Sequence, residues 1–92
     1  MNHQKEKQKI LISLKKAHSL SGRLIHMLED GEYCIDIMQQ NLAVIGLLRS
    51  AHQMLFEKHL NTCFKNAMAA GSPKIQNKMI EEILKVSKLA NK

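Results

Sequence analysis

Apolar residues recur at intervals of three and four along the first third of the chain: Ile10, Leu11, Leu14, Ala17, Leu20 or Ser21, Leu24, Met27 and Leu28. That spacing draws one stripe along a helix, and the other side carries Lys5, Lys9, Lys16 and Arg23. From Lys5 to Asp30 there is no proline, and Gly22 is the only glycine, so the pattern predicts one amphipathic helix. Asp30-Gly31-Glu32 interrupts it, with Gly31 expected in the positive-φ conformation that closes helices.

The second segment, from Tyr33 to about Ala70, contains two apolar patterns at once. Ile35, Met38, Leu42, Ile45, Leu48, His52, Leu55 and His59 alternate by three and four like a heptad repeat, while Ile37, Val44, Leu47, Ala51 and Met54 draw a second face. One helix of this length would run roughly 57 Å at 1.5 Å per residue. A fold-back near Gly46 is the alternative, although a single glycine costs a helix only about 1 kcal/mol. Two apolar faces need more partner surface than the first helix offers, so a dimer of antiparallel helices is expected. Gly71-Ser72-Pro73 then punctuates the chain, with Gly71 as C-cap, Ser72 as N-cap and Pro73 in the first turn of a third helix. Ile75, Met79, Ile83, Val86 and Leu89 or Ala90 form its apolar side. The expected fold class is therefore all-α: a three-helix protomer with a long central helix.

Composition agrees. The 92 residues make a single domain, and aromatic residues are only 3%, leaving aliphatics and six Met to fill the core. A lone copy of so short a chain is marginal, which again favours association. The net charge of +6 points to an anionic partner, nucleic acid or an acidic membrane surface. No apolar run nears the roughly 20 residues that span a bilayer, and the lysine-rich start does not read as an export signal. The two cysteines are accordingly expected as reduced cytoplasmic thiols.

His59 and Cys63 are four apart on the central helix, so they share a face and can offer an imidazole nitrogen and a thiolate to one ion. Cys34 precedes His59 by 25 residues, roughly 37 Å on a continuous helix. It joins them only if the helix folds back or a second protomer supplies it, and an antiparallel dimer does the latter twice by symmetry. Two thiolates and one imidazole suit Cu(I) in a near-trigonal site. Zn(II) prefers a fourth ligand, from His3 or water. No clustered acid and base mark an enzyme. His18, His26 and His52 read as surface or interface histidines. There is no Gly-rich phosphate loop, zinc-finger spacing or helix-turn-helix. Contact with DNA would rest on Lys9, Lys15, Lys16, Arg23 and Arg49 binding phosphates.

These residues carry a resemblance. Met27–Val44 (MLEDGEYCIDIMQQNLAV) and His59–Ala67 (HLNTCFKNA) look like the most specific stretches of the copper-sensitive operon repressor family, and the likeness covers nearly the whole chain. The resemblance implies a helical protomer forming dimers and then a disc-shaped homotetramer, with metal bridging protomers and weakening the hold on double-stranded operator DNA. It puts the copper-type ligands on Cys34, His59 and Cys63, with Tyr33 and Glu82 hydrogen-bonding around them. The persulfide branch lacks the histidine, so His59 argues against it, and the formaldehyde branch has a proline where Asn2 stands. The nickel/cobalt branch uses an N-terminal histidine that His3 matches, but has histidine in place of Cys63. Family arginines on helices one and two are replaced here by Ser13, His18 and Ser50.

The reading is a metal-responsive transcriptional repressor, residues 1–92, that senses Cu(I) and releases operator DNA on binding it. The alternatives are a nickel-, cobalt- or zinc-responsive repressor recruiting His3, and a cytoplasmic metal-binding or thiol-redox protein without operator binding.

Overall fold

The computed structural model describes residues 3–91, His3 by its backbone only. The elements are α1 (His3–Glu29), α2 (Cys34–His59), a π-helical turn (Leu60–Phe64), α3 (Lys65–Ala70) and α4 (Pro73–Ala90). His59, Phe64 and Lys65 all keep right-handed helical backbone, so α2, the π turn and α3 follow one another without a break. They make the long central helix, so the described residues form three helices. Gly46 lies inside α2, which rules out a fold-back there. Among the described residues no helix is long and apolar enough to cross a membrane. Contacts divide the chain into two compact units, one up to Phe56 and one from Glu57 onward.

In the first unit, α1 ends as its sequence predicts. Gly31 has φ +68°. The Glu32 N–H donates to the Met27 carbonyl at 3.0 Å and the Gly31 N–H to Leu28 at 3.2 Å. This pair of bonds satisfies carbonyls that a helix end leaves open, and it needs a residue that tolerates the left-handed conformation.

The core of this unit is a narrow line of contact. Ile10, Ser13, Ala17 and Met27 of α1 are buried, with Val44 and Ala51 of α2. The two alanines are the most deeply covered, at 2% and 1% exposure. Small side chains let helix backbones approach closely, and the approach is close enough for the Ser13 hydroxyl to donate to the Leu47 carbonyl at 3.2 Å. Two expected core residues fall outside the line: Leu14 is 39% exposed and Leu28 70%. A pair of helices covers only the strip between them, and Ser13 occupies the place predicted for Leu14.

The two apolar faces of α2 have opposite fates. Ile37, Val44, Leu47, Ala51 and Met54 are buried or half-buried. The heptad-like face is open: Ile35, Met38, Leu42, Ile45, Leu48 and Leu55 are all exposed.

In the second unit, α3 closes on Gly71 with extended backbone (φ −78°, ψ 157°), and the Gly71 N–H donates to the Ala67 carbonyl at 2.8 Å. A Cβ at Gly71 would stand 2.5 Å from that oxygen, so only glycine fits. The Gln76 amide donates to the Met68 and Gly71 carbonyls, each at 3.1 Å, filling the open end of α3. Ser72 caps α4 by accepting from the Ile75 N–H at 3.4 Å, with Pro73 in the first turn. α4 has no buried residue, and Ile75, Val86 and Leu89 of its expected apolar side are exposed.

The two glycines that end helices should respond differently to alanine. Gly31→Ala meets open space and pays only for left-handed backbone, about 1–2 kcal/mol. Gly71→Ala forces a methyl onto a carbonyl and should lose more, up to about 3 kcal/mol. Urea unfolding followed by circular dichroism measures both, and equal midpoints for Gly71→Ala and the wild type would contradict the steric argument.

Candidate metal centre and basic groove

The sequence pattern that builds α2 also fixes where its thiol and imidazole stand. Cys34 is the first residue of the helix and is an exposed free thiol. Tyr33 precedes it, 70% exposed, and its carbonyl accepts from the Asp36 and Ile37 N–H groups at 3.0 and 3.2 Å, which starts the helix. His59 is the last residue of α2 and is half-buried. A helix of 26 residues is about 39 Å long, and Cys34 and His59 are its first and last residues. Cys63 follows in the π turn, also an exposed free thiol. Among the described residues, no three His, Cys, Asp or Glu side chains are grouped to hold a metal ion. The chain thus keeps His59 and Cys63 in adjoining turns and does not bring Cys34 to them.

The π turn was not legible in the spacing. The Lys65 N–H is directed to the carbonyls of Leu60, five residues back, and Thr62. The Thr62 hydroxyl donates to the Lys58 carbonyl at 2.7 Å and lies 3.8 Å from the Cys63 sulfur. A threonine that bonds back four residues disturbs the backbone ladder, and Thr62 is the sequence signal that reveals the turn in retrospect.

Glu82 is exposed on α4. The expectation for His3 as an extra ligand concerns a side chain outside the described residues. His18, His26 and His52 are exposed, and His26 lies 3.6 Å from Glu29 on the surface of α1, as expected of solvated histidines.

The basic residues are grouped. Lys15, Lys16 and Arg23 line an open groove of about 500 Å³ with Ser19, Leu20 and, from α2, Leu47. Lys9, Lys16 and Arg23 follow at seven-residue steps, about 10 Å apart along one side of α1. Lys9 and Arg49 are exposed outside the groove lining. Ser13 is 8% exposed and hydrogen-bonded to α2. It is a packing residue. His18 and Ser50 are exposed and uncharged or weakly basic, so the positive surface here is made mainly of lysine.

Comparison with known proteins places this arrangement. Residues 6–88 match the family described as metal-sensitive transcriptional repressor. The copper-sensing transcriptional repressor RicR of Mycobacterium tuberculosis is 32% identical over 76 residues, covering 83% of this chain and 79% of that protein. The copper-sensing transcriptional repressor CsoR of Mycobacterium ulcerans is 38% identical over 66 residues, covering 72% of this chain. The matched part spans only 56% of that relative's length. Among solved structures, the crystal structure of the copper-sensing repressor CsoR with Cu(I) from Geobacillus thermodenitrificans superimposes with a TM-score of 0.85 at 28% identity, over 100% of this chain and 93% of the other.

Proposed function

Because the chain belongs to the metal-sensitive transcriptional repressor family, we propose that it is a Cu(I)-responsive repressor whose ligands are Cys34, His59 and Cys63. That family consists of transcriptional regulators and not of enzymes. The observation that carries the metal reading is the donor set: two exposed thiols and one imidazole, all within the matched residues. Soft thiolates with imidazole fit Cu(I), a low-coordinate ion, and the relatives named as copper-sensing point to the same metal.

The separation of Cys34 from His59 supports a site shared between two copies. A second α2 lying antiparallel along the open heptad-like face would carry its Cys34 toward the far end of the first. The same association would cover Ile35, Met38, Leu42, Ile45, Leu48 and Leu55, exposed in the single chain. Metal binding and dimer formation are then coupled, because neither copy alone supplies all three ligands. The remaining exposed apolar residues of α1 and α4 provide surface for a homotetramer. Tyr33 and Glu82 would hydrogen-bond around the ligands, Glu82 at the far nitrogen of His59 to fix its tautomer. The chain as a whole acts as one regulatory domain, working in the cytoplasm on double-stranded operator DNA. Lys9, Lys15, Lys16, Arg23 and Arg49 bind its phosphates, and Cu(I) lowers the affinity.

Cys34→Ala and Cys63→Ala should each bind operator DNA within about threefold of the wild type yet fail to release it when Cu(I) is added. The wild type should lose affinity by about 5–150-fold, the usual range of allosteric coupling. Fluorescence anisotropy at fixed salt reads both, and normal release by both variants would remove the site assignment. Deleting residues 1–4 should leave the Cu(I) response intact. A deletion that abolishes it would instead favour a site recruiting His3.

The DNA face makes a separate prediction. Each phosphate contact removed by Lys15→Gln, Lys16→Gln or Arg23→Gln should flatten the dependence of log affinity on log salt by about 0.9. Unchanged salt slopes in all three variants would move the DNA contact elsewhere.

A further inference from the structure

Thr62 stands between His59 and Cys63 in the chain, and its hydroxyl has two neighbours: the Lys58 carbonyl at 2.7 Å and the Cys63 sulfur at 3.8 Å. The hydroxyl has a single proton, and the short distance commits it to the carbonyl, leaving the oxygen's lone pairs to the thiol. A side chain that bonds to the carbonyl four residues back competes with the backbone N–H for that acceptor, which bends or widens a helix. The widening is present here. Lys65 directs its N–H to the carbonyls of Leu60, five residues back, and Thr62, where an α-helix would use Asn61. A π turn takes up one residue more than an α turn. Side chains within and beyond it are therefore swung about the axis by up to about 100° from their α-helical bearing. Cys63 is one of those side chains.

We propose that Thr62 is a positioning residue for Cys63: its bond to the Lys58 carbonyl sustains the wide turn, and the turn sets the bearing of the Cys63 sulfur relative to His59. This rests on the reading of His59 and Cys63 as ligands. Nothing in the donor set itself requires a hydroxyl at this position. The requirement comes from geometry, since a thiol and an imidazole four residues apart serve one ion only if the helix between them holds one register.

Two variants and two readouts test it on the full-length protein. Thr62→Val keeps the branched shape and removes the hydroxyl, whereas Thr62→Ser keeps the hydroxyl. In the metal-free protein, NMR couplings across hydrogen bonds should connect the Lys65 N–H to the Leu60 carbonyl in the wild type and in Thr62→Ser. In Thr62→Val the coupling should move to Asn61. In competition with a Cu(I) chelator, Thr62→Val should bind Cu(I) about 10-fold or more weakly, and Thr62→Ser within about threefold of the wild type. An unmoved Lys65 coupling in Thr62→Val, or wild-type Cu(I) affinity in that variant, overturns the proposal. Cys63→Ala separates the two levels of inference. If it binds Cu(I) as the wild type does, the ligand reading is what fails, and the Lys65 coupling alone then decides whether Thr62 holds the turn.

Discussion

An α-helix advances 1.5 Å per residue whatever its sequence, and α2 places 26 residues from Cys34 to His59. That spacing along the helix is the constraint on which the proposed site depends. In the proposed reading, it keeps one chain from bringing Cys34, His59 and Cys63 together by itself. It also leaves an apolar face along the helix that one copy does not cover. The proposed assembly answers both at once, because an antiparallel partner meets the open face and carries a cysteine to the opposite end.

The helix can afford to keep that face open because its other face is already used. α1 packs along Val44 and Ala51 through Ile10, Ser13, Ala17 and Met27, and the narrowness of this seam follows from the small residues within it. Close approach gives Ser13 a backbone acceptor on α2. A buried serine contributes no charge to the surface, and the groove beside it is lined by Lys15, Lys16 and Arg23 with Ser19, Leu20 and Leu47. Lysine binds phosphate as a point charge without the paired donors of arginine, which suits recognition of backbone shape more than of base edges.

The end of the central helix is governed by a local conflict instead. Thr62 directs its hydroxyl to a carbonyl in its own helix, and the ladder widens where Cys63 projects. Gly71 follows, held against Ala67 so closely that a side chain has no room, and Gln76 of α4 returns to satisfy the exposed carbonyls. The unit from Glu57 onward is thus organised by hydrogen bonds at helix ends more than by a buried core, since none of its described residues is buried.

Three helices, the positive-φ Gly31, the Ser72-Pro73 start and the absence of a break at Gly46 were all legible in the sequence. Each depends on residues within one or two turns, where backbone preference and periodicity act directly. The residue types Cys, His and Cys in the sequence motivate the proposed donor set, because they state their chemistry without reference to geometry. Which of the two faces of α2 meets α1 was not, for both are apolar and periodicity cannot rank them. Only the tertiary structure decided that Val44 and Ala51 are covered while Leu42 and Leu48 are not, because the small residues of the seam permit the closer packing. It also decided that Ser13 is buried and Leu14 exposed, a matter of how wide a strip two cylinders can cover. The π turn belongs to the same category: a hydroxyl and a backbone N–H compete for carbonyl acceptors in one turn, and the folded helix shows the arrangement that results.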